Sequence, residues 1–345
     1  MTITAPVLST YQQRARGAEY LDRAREVARV IEAEANAIET EATITRPVYE
    51  ALAEAGLFWI LVPEEYGGAG LDIVSAFKVV QEITRADGST GWAFMANSCS
   101  TGVAVGYTNP DGAREMFAGV DKGITAGMIV PTGTGVRVDG GYRVTGRFQF
   151  ASGSAHASWI GAGFVVHDDQ GNPMVGEDGQ PEARIAWIPR ENIEFLGNWD
   201  VMGMVGTGSY DYRVTDVFVA ERFTMNTFST VPVRPESVYK LGLLGIGVGG
   251  HAPVHWGWPS EPWRRSPASS RGRSGPDTTV PSVTPMSSVS SSPATKPCTR
   301  PPVPTSTRYS GMRRRPRQQD CRSPTSSTRV YGRLRPGFRR SRAMS

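Results

Sequence analysis

Segment 124–159 constrains the fold of this 345-residue chain more than any other, because it contains two alternating runs around a tight turn. Apolar and polar residues alternate at 136–138 and again at 142–144, on either side of Gly140-Gly141. Two such runs joined by a glycine pair are typical of a β-hairpin. The segment therefore predicts antiparallel strands in the middle of the chain.

The second of these strands leads into a loop with almost no side-chain bulk. Phe148 and Phe150 alternate with polar residues, and the small residues 151–155 (ASGSA) follow. Such a loop lets backbone N–H groups and a hydroxyl approach a flat ligand closely, with Phe150 as an apolar wall beside it. The alternative is an ordinary β-sandwich hairpin and turn, since a short motif is only a hypothesis.

This segment resembles the middle β-domain of the acyl-CoA dehydrogenase family of flavoproteins, and it is most similar to the branch of two-component flavin-dependent aromatic hydroxylases. The matching residues are Gly140-Gly141-Tyr142, Gly146, Phe150-Ala151-Ser152-Gly153 and Trp159. In that family the aromatic residue packs on the isoalloxazine ring, and the hydroxyl and N–H groups reach its N5/O4 edge. The resemblance therefore implies a flavin cofactor, FAD or FMN, bound by Phe150, Ala151, Ser152 and Gly153.

The family has a second flavin-lining turn, which corresponds to residues 128–134. The match is looser here, because Ile129-Val130-Pro131 stands where the dehydrogenases have Thr-Glu-Pro. The resemblance implies that Pro131 and Thr132 also bind the flavin. The departure from Thr-Glu-Pro favours the hydroxylase branch.

A third point of resemblance is the glycine-rich loop 202–209, which is similar to the family's Gly-x-Arg-Gly-Thr-Gly-Ser motif. The resemblance implies that Thr207 and Ser209 lie in the substrate cavity; the alternative is that both hydroxyls serve only the turn. Val205 occupies the position of the usual Arg, and Ala220 that of the usual Pro. The loss of the Arg leaves ligand specificity open.

The first 123 residues predict an α-helical domain. Apolar residues recur at three- and four-residue steps across 12–39, which is typical of an amphipathic helix. The other predicted elements are helices at 47–56, 71–86 and 110–119, a helix capped by Ser89 or Thr90, and a buried connector at 57–70. In the helix 71–86, the residues predicted to share the buried face are Val74, Phe77, Val80 and Ile83.

Trp92 and Asn97 follow the predicted cap. In the family the corresponding helix lines the substrate and flavin cavity, so the resemblance implies that both side chains form part of its wall. A core tryptophan is the alternative for Trp92.

The predicted fold class is α+β and acyl-CoA dehydrogenase-like. Its parts are an N-terminal α-helical domain (1–123), a middle antiparallel β-domain (124–230), the start of a truncated C-terminal helical bundle (231–254) and a disordered basic tail (255–345). Residues 237–250 are predicted to begin the long first helix of the bundle, where four glycines suit close packing despite their low helix propensity. Among its leucines and isoleucines, those predicted to face water are Leu241, Leu243, Leu244 and Ile246.

The tail differs from the rest of the chain in charge and composition. Residues 255–345 contain 18 basic and three acidic residues, whereas residues 1–254 contain 19 basic and 30 acidic ones. Serine, proline and arginine dominate, with no helical or strand period, which is typical of disorder. A basic tail that binds nucleic acid through its phosphates is one interpretation. It is the less favoured one, because aromatic residues are sparse there and no folded motif is present.

The favoured interpretation is that the tail is translated out of frame. If each codon is read from the third base of the printed one, residues 255–264 become Leu-Gly-(Leu/Met/Val)-Ala-x-(Arg/Gly)-(Ala/Thr)-(Leu/Met/Val)-(Glu/Ala). This pattern continues the apolar run 241–254 as an amphipathic helix. We call residues 1–254 followed by this shifted reading the frame-restored form, and we expect the printed chain to be inactive.

Composition argues against several other classes of protein. The three cysteines and four histidines have no disulfide or zinc spacing, so no metal site is predicted. The N-terminal residues lack a basic region followed by an apolar run, and no apolar stretch is long enough to span a bilayer. A cytoplasmic protein is therefore expected.

The predicted function is that of a flavin-dependent oxidoreductase. In the hydroxylase branch, reduced flavin from a partner reductase reacts with oxygen and an aromatic substrate is hydroxylated; intact members are homotetramers. The alternatives are an acyl-CoA dehydrogenase, which oxidises a thioester at the alpha–beta bond, and a non-catalytic protein. The sequence identifies no catalytic residue: His156 follows the flavin loop, but a surface or core histidine is the favoured interpretation.

Overall fold

The computed structural model describes residues 10–119, 122–176, 179–229 and 231–258. Five helices form the N-terminal part: α1 (Thr10–Glu41), α2 (Arg46–Glu54), α3 (Ile73–Ala86), α4 (Gly88–Tyr107) and α5 (Pro110–Phe117). The bounds of each helix lie within two residues of the predicted bounds or of the predicted cap. No end had been predicted for α4. Residues 1–9 and 259–345 lie outside the described part, so the predictions for the tail beyond Trp258 are not addressed by this structure.

Helix α3 buries most of the predicted face, since Val80 and Ile83 are buried and Phe77 is half-buried. Ala76, Val79, Val80 and Ile83 are buried, whereas Val74 is 59% exposed. The Asp72 side chain caps the helix by accepting hydrogen bonds from the backbone N–H groups of Val74 and Ser75. Val74 therefore lies in the first turn, at the rim of the domain, and the choice of Val74 as a buried position was wrong.

Helix α4 is the central element of the helical domain and is buried along nearly its whole length. Its cap is Asp87, whose carboxylate accepts a hydrogen bond of 2.6 Å from Thr90 N; the predicted caps, Ser89 and Thr90, are instead buried inside the first turn. An Asp at the N-cap position also satisfies the preference of that position for a short acceptor. Close neighbours explain the small residues: a Cβ at Gly106 would lie 2.4 Å from the Tyr239 ring.

Seven strands form a sheet with the order β5-β6-β2-β1-β3-β4-β7. They are β1 (Thr125–Val138), β2 (Gly141–Ala151), β3 (Trp159–His167), β4 (Ala183–Pro189), β5 (Glu194–Phe195), β6 (Tyr210–Ala220) and β7 (Thr224–Asn226). The predicted hairpin is confirmed, with β1 and β2 antiparallel, but Gly141 is the first residue of β2 and the turn is Asp139-Gly140. The prediction of a wholly antiparallel β-domain was wrong in one pairing, because β1 and β3 run parallel.

The register of β1 against β3 shifts by several residues. Met128 pairs with Ala162, but Gly133 pairs with Phe164, so residues 129–132 bulge opposite a single residue, Gly163. A Cβ at Gly163 would lie 2.4 Å from the carbonyl oxygens of Ile129 and Val130. Glycine at this position therefore allows the bulge to fold over β3.

The segment 231–258 does not form the single long helix that was predicted. A 3-10 turn (Ser237–Leu241) is followed by two short helices, α6 (Gly242–Gly247) and α7 (His251–Gly257). Gly242 has a φ of +74°, which interrupts the helix where it was expected to run on. Helix α7 also extends three residues into the range assigned to the tail.

This segment packs on the helical domain. Leu243 and Ile246 are buried, contrary to the prediction, whereas Leu241 and Leu244 are exposed as predicted. The Tyr239 hydroxyl donates a hydrogen bond of 2.6 Å to the Leu61 carbonyl. Arg234 pairs with Glu65 at 2.8 Å and with Glu236 at 2.6 Å. The start of the C-terminal region is therefore held against the connector 57–70.

No helix among the described residues combines the length and the apolar composition that crossing a bilayer requires. Within the same residues, no group of three or more histidines, cysteines or acidic side chains is placed to hold a metal ion.

Candidate functional site

Phe150 lies at the end of β2, where the pairing with β6 shifts register between Phe148 and Ala151. Its φ is +62°, in the left-handed region that a bulky residue rarely adopts. The ring is 55% exposed, and Trp199 meets it edge-on at a centroid distance of 6.3 Å. The backbone thus presents an aromatic face to the surface; its role as the apolar wall of a flavin site remains a prediction.

Ser152 lies two residues further on and is almost fully buried. Its Oγ accepts a hydrogen bond of 3.0 Å from the indole Nε1 of Trp92 on α4. The same Oγ lies 2.7 Å from Ser209 Oγ, and Ser209 Oγ lies 2.7 Å from Thr207 Oγ1. The structure therefore joins Trp92, Ser152, Thr207 and Ser209, which sequence comparison had assigned separately to the cofactor and to the substrate cavity.

The loop 202–209 is fixed by the helical domain. Met204 has a φ of +60° and Gly208 one of +53°. A Cβ at Gly206 would lie 2.2 Å from the Ile38 side chain of α1. The Thr207 hydroxyl donates a hydrogen bond of 2.9 Å to the Met204 carbonyl. Close packing of a glycine against α1 thus positions both hydroxyls of the loop.

Gly153 completes the small-residue loop and is held from behind by Asn97. Its φ is +70°, and its N–H donates a hydrogen bond of 2.9 Å to the Thr207 carbonyl. The Asn97 Nδ2 donates to the Thr125 carbonyl at 2.9 Å, and a Cβ at Gly153 would lie 2.3 Å from Asn97 Oδ1. Asn97 is fully buried. It supports the loop, whereas sequence comparison had assigned it to the cavity wall.

Pro131 and Thr132 lie in the bulge of β1, next to β2 in the sheet order. Pro131 is half-buried and Thr132 is exposed. Neither side chain joins the hydrogen bonds that link Trp92, Ser152, Ser209 and Thr207. Their role at a flavin remains a prediction.

His156 is committed to packing. Its ring stacks on Tyr49 with centroids 4.5 Å apart, and its Nε2 lies 2.7 Å from the Ile44 carbonyl. Burial lowers the pKa of His156 below 6.5, although the Ile44 hydrogen bond opposes this. The ring is therefore neutral near pH 7 and holds the loop against α2, as the favoured interpretation expected.

Sequence reasoning missed three neighbours of this site. His251 of α7 meets the Trp92 ring edge-on at 5.2 Å. Trp199 contacts Phe150 edge-on. Trp258 packs beside Met204 at the start of α4, where a Cβ at Gly88 would lie 3.8 Å from the Trp258 ring and 3.9 Å from the Met204 sulfur. No local motif marks them, because each reaches the site only through the packing of a distant segment.

One groove of the helical domain is separate from these residues. An open groove of about 920 Å³ runs between α1 and α3, and residues such as Gly17, Val74 and Lys78 line it. It contains none of the residues around Ser152. The candidate site is consequently an exposed aromatic face beside a hydroxyl, at the junction of β2, α4 and the loop 202–209.

Parts of this chain are similar to known proteins. Residues 18–123 match the acyl-CoA dehydrogenase N-terminal domain. A pigment production hydroxylase from a Rhodococcus species is 35% identical over 212 residues, which cover 59% of this chain and 52% of that protein. The oxygenase subunit HsaA of a flavin-dependent monooxygenase from Rhodococcus jostii is 36% identical over 172 residues, with 49% and 42% covered.

A solved structure agrees with these similarities. The crystal structure of 3-HSA hydroxylase from Rhodococcus sp. RHA1 matches with a TM-score of 0.62 and 28% identity, over 69% of this chain and 64% of that one. The chain spans about half the length of the curated relatives it matches. Residues 18–123 therefore contain an acyl-CoA dehydrogenase N-terminal domain, and the described residues have an acyl-CoA dehydrogenase-like fold.

Proposed function

We propose that this chain has the function of the oxygenase component of a two-component flavin-dependent monooxygenase, which hydroxylates an aromatic small molecule. The observation that carries the proposal is the exposed Phe150 ring beside the Ser152 hydroxyl, which Trp92 and Ser209 hold in place. The similar proteins are a hydroxylase and a flavin-dependent monooxygenase, which favours oxygen insertion over thioester oxidation.

The residues present fit a flavin by their chemistry. Phe150 offers an apolar face for a flat ring, and Ser152 offers one hydroxyl at its edge. The side chains of the hydrogen-bonded group are all uncharged, so the site suits a neutral ring system. A bound reduced flavin would supply the electrons that activate molecular oxygen. Phe150 to Gly153 would hold its ring, and Pro131 and Thr132 would flank it.

The protein's own part in the reaction is binding and orientation. Trp92 and Trp199 provide aromatic surface on two sides of the Phe150–Ser152 segment. Such surface suits an aromatic substrate, because flat rings pack favourably against tryptophan. A partner reductase would deliver reduced flavin, and assembly as a homotetramer in the cytoplasm belongs to the same proposal.

The test supplies chemically reduced FMN or FAD and isotopically labelled molecular oxygen to the printed chain and to the frame-restored form. A panel of phenols and indoles serves as substrates, and mass spectrometry detects labelled product. We expect one labelled oxygen atom in a hydroxylated product from the frame-restored form. Oxidation of an acyl-CoA instead would reassign the chain to the dehydrogenase branch, and failure of both forms to bind flavin would refute a flavin function.

A further inference from the structure

The open groove between α1 and α3 is lined by three separate segments of the chain. Its volume of about 920 Å³ is within the range of small-molecule sites, which is about 300–1,000 Å³. We call it the α1–α3 groove. The lining residues that matter below are Arg14, Ala18 and Leu21 of α1, Val74 and Lys78 of α3, and Ser237 of the C-terminal segment.

Small residues of α1 keep this groove open. A Cβ at Gly17 would lie 2.4 Å from Ser75 Oγ, so a larger residue there would push the two helices apart. Gly17 is buried in this contact, whereas the next residue, Ala18, is exposed. A methyl group covers little of the space beside the helix contact. The groove is therefore bounded by two helices that are in close contact at its base.

The polar groups of the groove are mostly donors without partners. Within the part of the chain that the structure describes, Arg14 and Lys78 form no ion pair, and the Ser237 hydroxyl makes no hydrogen bond. The acidic residue of the lining, Asp72, already accepts three hydrogen bonds of 2.7–3.0 Å from the first turn of α3. The groove is thus positive, although residues 1–254 contain 19 basic and 30 acidic residues.

The remaining walls of the groove are apolar. Val74 is 59% exposed, and Leu21 is half-buried. A single exposed valine is ordinary on a protein surface. Here it lies in the same groove as an exposed alanine and two unpaired cations, so apolar and positive surface occur together. A ligand that matches both kinds of surface has an apolar body and an anionic group.

We propose that the α1–α3 groove binds a small carboxylic acid with an apolar chain. The carboxylate would pair with Arg14 and Lys78 and accept a hydrogen bond from Ser237, and the chain would cover Leu21 and Val74. Guanidinium and ammonium groups form their strongest hydrogen bonds with anions such as carboxylates. The inference goes beyond the proposed function, because no lining residue of the groove belongs to the candidate flavin site.

The experiment measures the dissociation constant of decanoate by isothermal titration calorimetry, with the full chain and, in parallel, the frame-restored form. Decanol lacks the charge and acetate lacks the apolar chain, so each should bind about tenfold more weakly or worse. Arg14→Glu and Lys78→Glu should each weaken decanoate binding about tenfold, because a charged hydrogen bond is replaced by repulsion.

Val74→Glu tests the apolar wall. It should weaken decanoate binding to a similar degree, because it replaces apolar surface with a negative charge. An acidic residue in the first turn of a helix interacts favourably with the helix dipole, so this variant should remain folded. Thermal unfolding of every variant checks its folding. Decanoate should raise the Tm of the unmodified protein but not that of Lys78→Glu.

Two variants serve as controls. Arg29→Glu makes the same change of charge at an exposed position of α1 outside the groove, so it should alter the dissociation constant by no more than about twofold. Lys78→Arg keeps the positive charge and should bind decanoate like the unmodified protein. Deletion of residues 2–8, which precede α1, tests whether the chain itself competes for the groove.

The outcomes either support or overturn the proposal. Weaker binding in Arg14→Glu, Lys78→Glu and Val74→Glu, with unchanged binding in both controls, supports it. Equal weakening in Arg29→Glu, equal affinity for decanol, or no decanoate binding in either form would overturn it. Binding that occurs only after deletion of residues 2–8 would assign the groove to the chain's own N-terminus instead. A protein that binds decanoate but no flavin would refute only the proposed function.

Discussion

At the scale of single residues, Phe150 and Phe148 show how two aromatic residues of one strand take different roles. Phe148 is fully buried and stacks on Tyr212 with centroids 5.1 Å apart. Phe150 is more than half exposed and sits at a positive φ. Strain of this kind persists where the surrounding structure over-determines the backbone, and such positions cluster at ligand sites.

We predict opposite effects of glycine and alanine at these two positions. Phe150→Gly should leave the free energy of unfolding unchanged or raise it by about 1 kcal/mol, because the backbone strain is relieved. Phe148→Ala should lower it by about 3–5 kcal/mol, because a buried ring is removed. Denaturant unfolding measures both. A loss of several kcal/mol for Phe150→Gly would contradict the assignment of Phe150 to a surface site.

A second prediction concerns Ser152. If its hydroxyl binds flavin, Ser152→Ala should weaken flavin binding by about 1 kcal/mol, or roughly fivefold. Titration of the frame-restored form with reduced flavin measures this change. Unchanged affinity in Ser152→Ala would remove Ser152 from the flavin site.

The third prediction concerns the pH dependence of stability through His156. Its pKa is lowered in the folded protein, so the unfolded state binds the proton more readily. The stabilisation from the neutral ring is therefore fully present above about pH 6.5, the ordinary value, and is lost as pH falls through the lowered pKa. Denaturant unfolding between pH 5 and 8 should show this slope, and His156→Gln should reduce it. An identical slope in the variant would show that other groups cause it.

At the scale of elements, Arg234 joins the C-terminal segment to the helical domain. Its guanidinium pairs with Glu65 and Glu236 and lies over the Tyr66 ring at 5.2 Å. The Arg234 side chain is only 11% exposed. Removing one partner of such a group leaves charges without compensation in a partly buried place. The pairing therefore determines how firmly residues 231–258 rest on the connector.

We predict that Arg234→Ala lowers the free energy of unfolding by about 3 kcal/mol and makes the segment around residue 234 sensitive to protease. Arg222→Ala is the matched control, because Arg222 also pairs with a glutamate, Glu115, but both side chains are about half exposed. Exposed pairs contribute only about 0–1 kcal/mol. Equal effects of the two substitutions would show that burial of the Arg234 pair is unimportant.

Predictions about elements succeeded where a local pattern controlled the structure. The hairpin turn and helices α1 to α5 follow from periodicity and capping residues that act within a few positions. The long helix expected from Ser237 fails because Gly242 adopts a positive φ and the chain folds back onto α3 and α4. The glycines of segment 237–250 are compatible both with a closely packed helix and with a break in it. Only the packing of the folded chain decided between the two.

At the scale of the whole molecule, apolar side chains of the last described segment are unevenly covered. Leu243 and Ile246 are buried, whereas Leu244 is 71% exposed and Val248 is 63% exposed. Fully burying a side chain of this size is worth about 1.5–3 kcal/mol. Exposed apolar residues on neighbouring helices favour association with further chain or with another copy. The helical bundle expected after Val254 remains a prediction.

The final prediction compares the printed chain with the frame-restored form. We expect the printed chain to express with poor solubility, to bind flavin weakly and to show no turnover. The frame-restored form should purify as a yellow oligomer that binds flavin. Size-exclusion chromatography and visible absorbance measure the difference. A printed chain that is yellow, oligomeric and as active as the frame-restored form would refute the reading-frame interpretation.

The sequence by itself predicted the acyl-CoA dehydrogenase-like fold, the N-terminal helices, the hairpin and the small-residue loop, because each depends on residues close together along the chain. It also named Trp92, Ser152, Thr207 and Ser209, though without relating them. Only the tertiary structure brought these four into one hydrogen-bonded group, placed Asn97 behind the loop and brought His251 against Trp92. Contacts between residues tens of positions apart depend on how helices and strands pack, which no local pattern encodes.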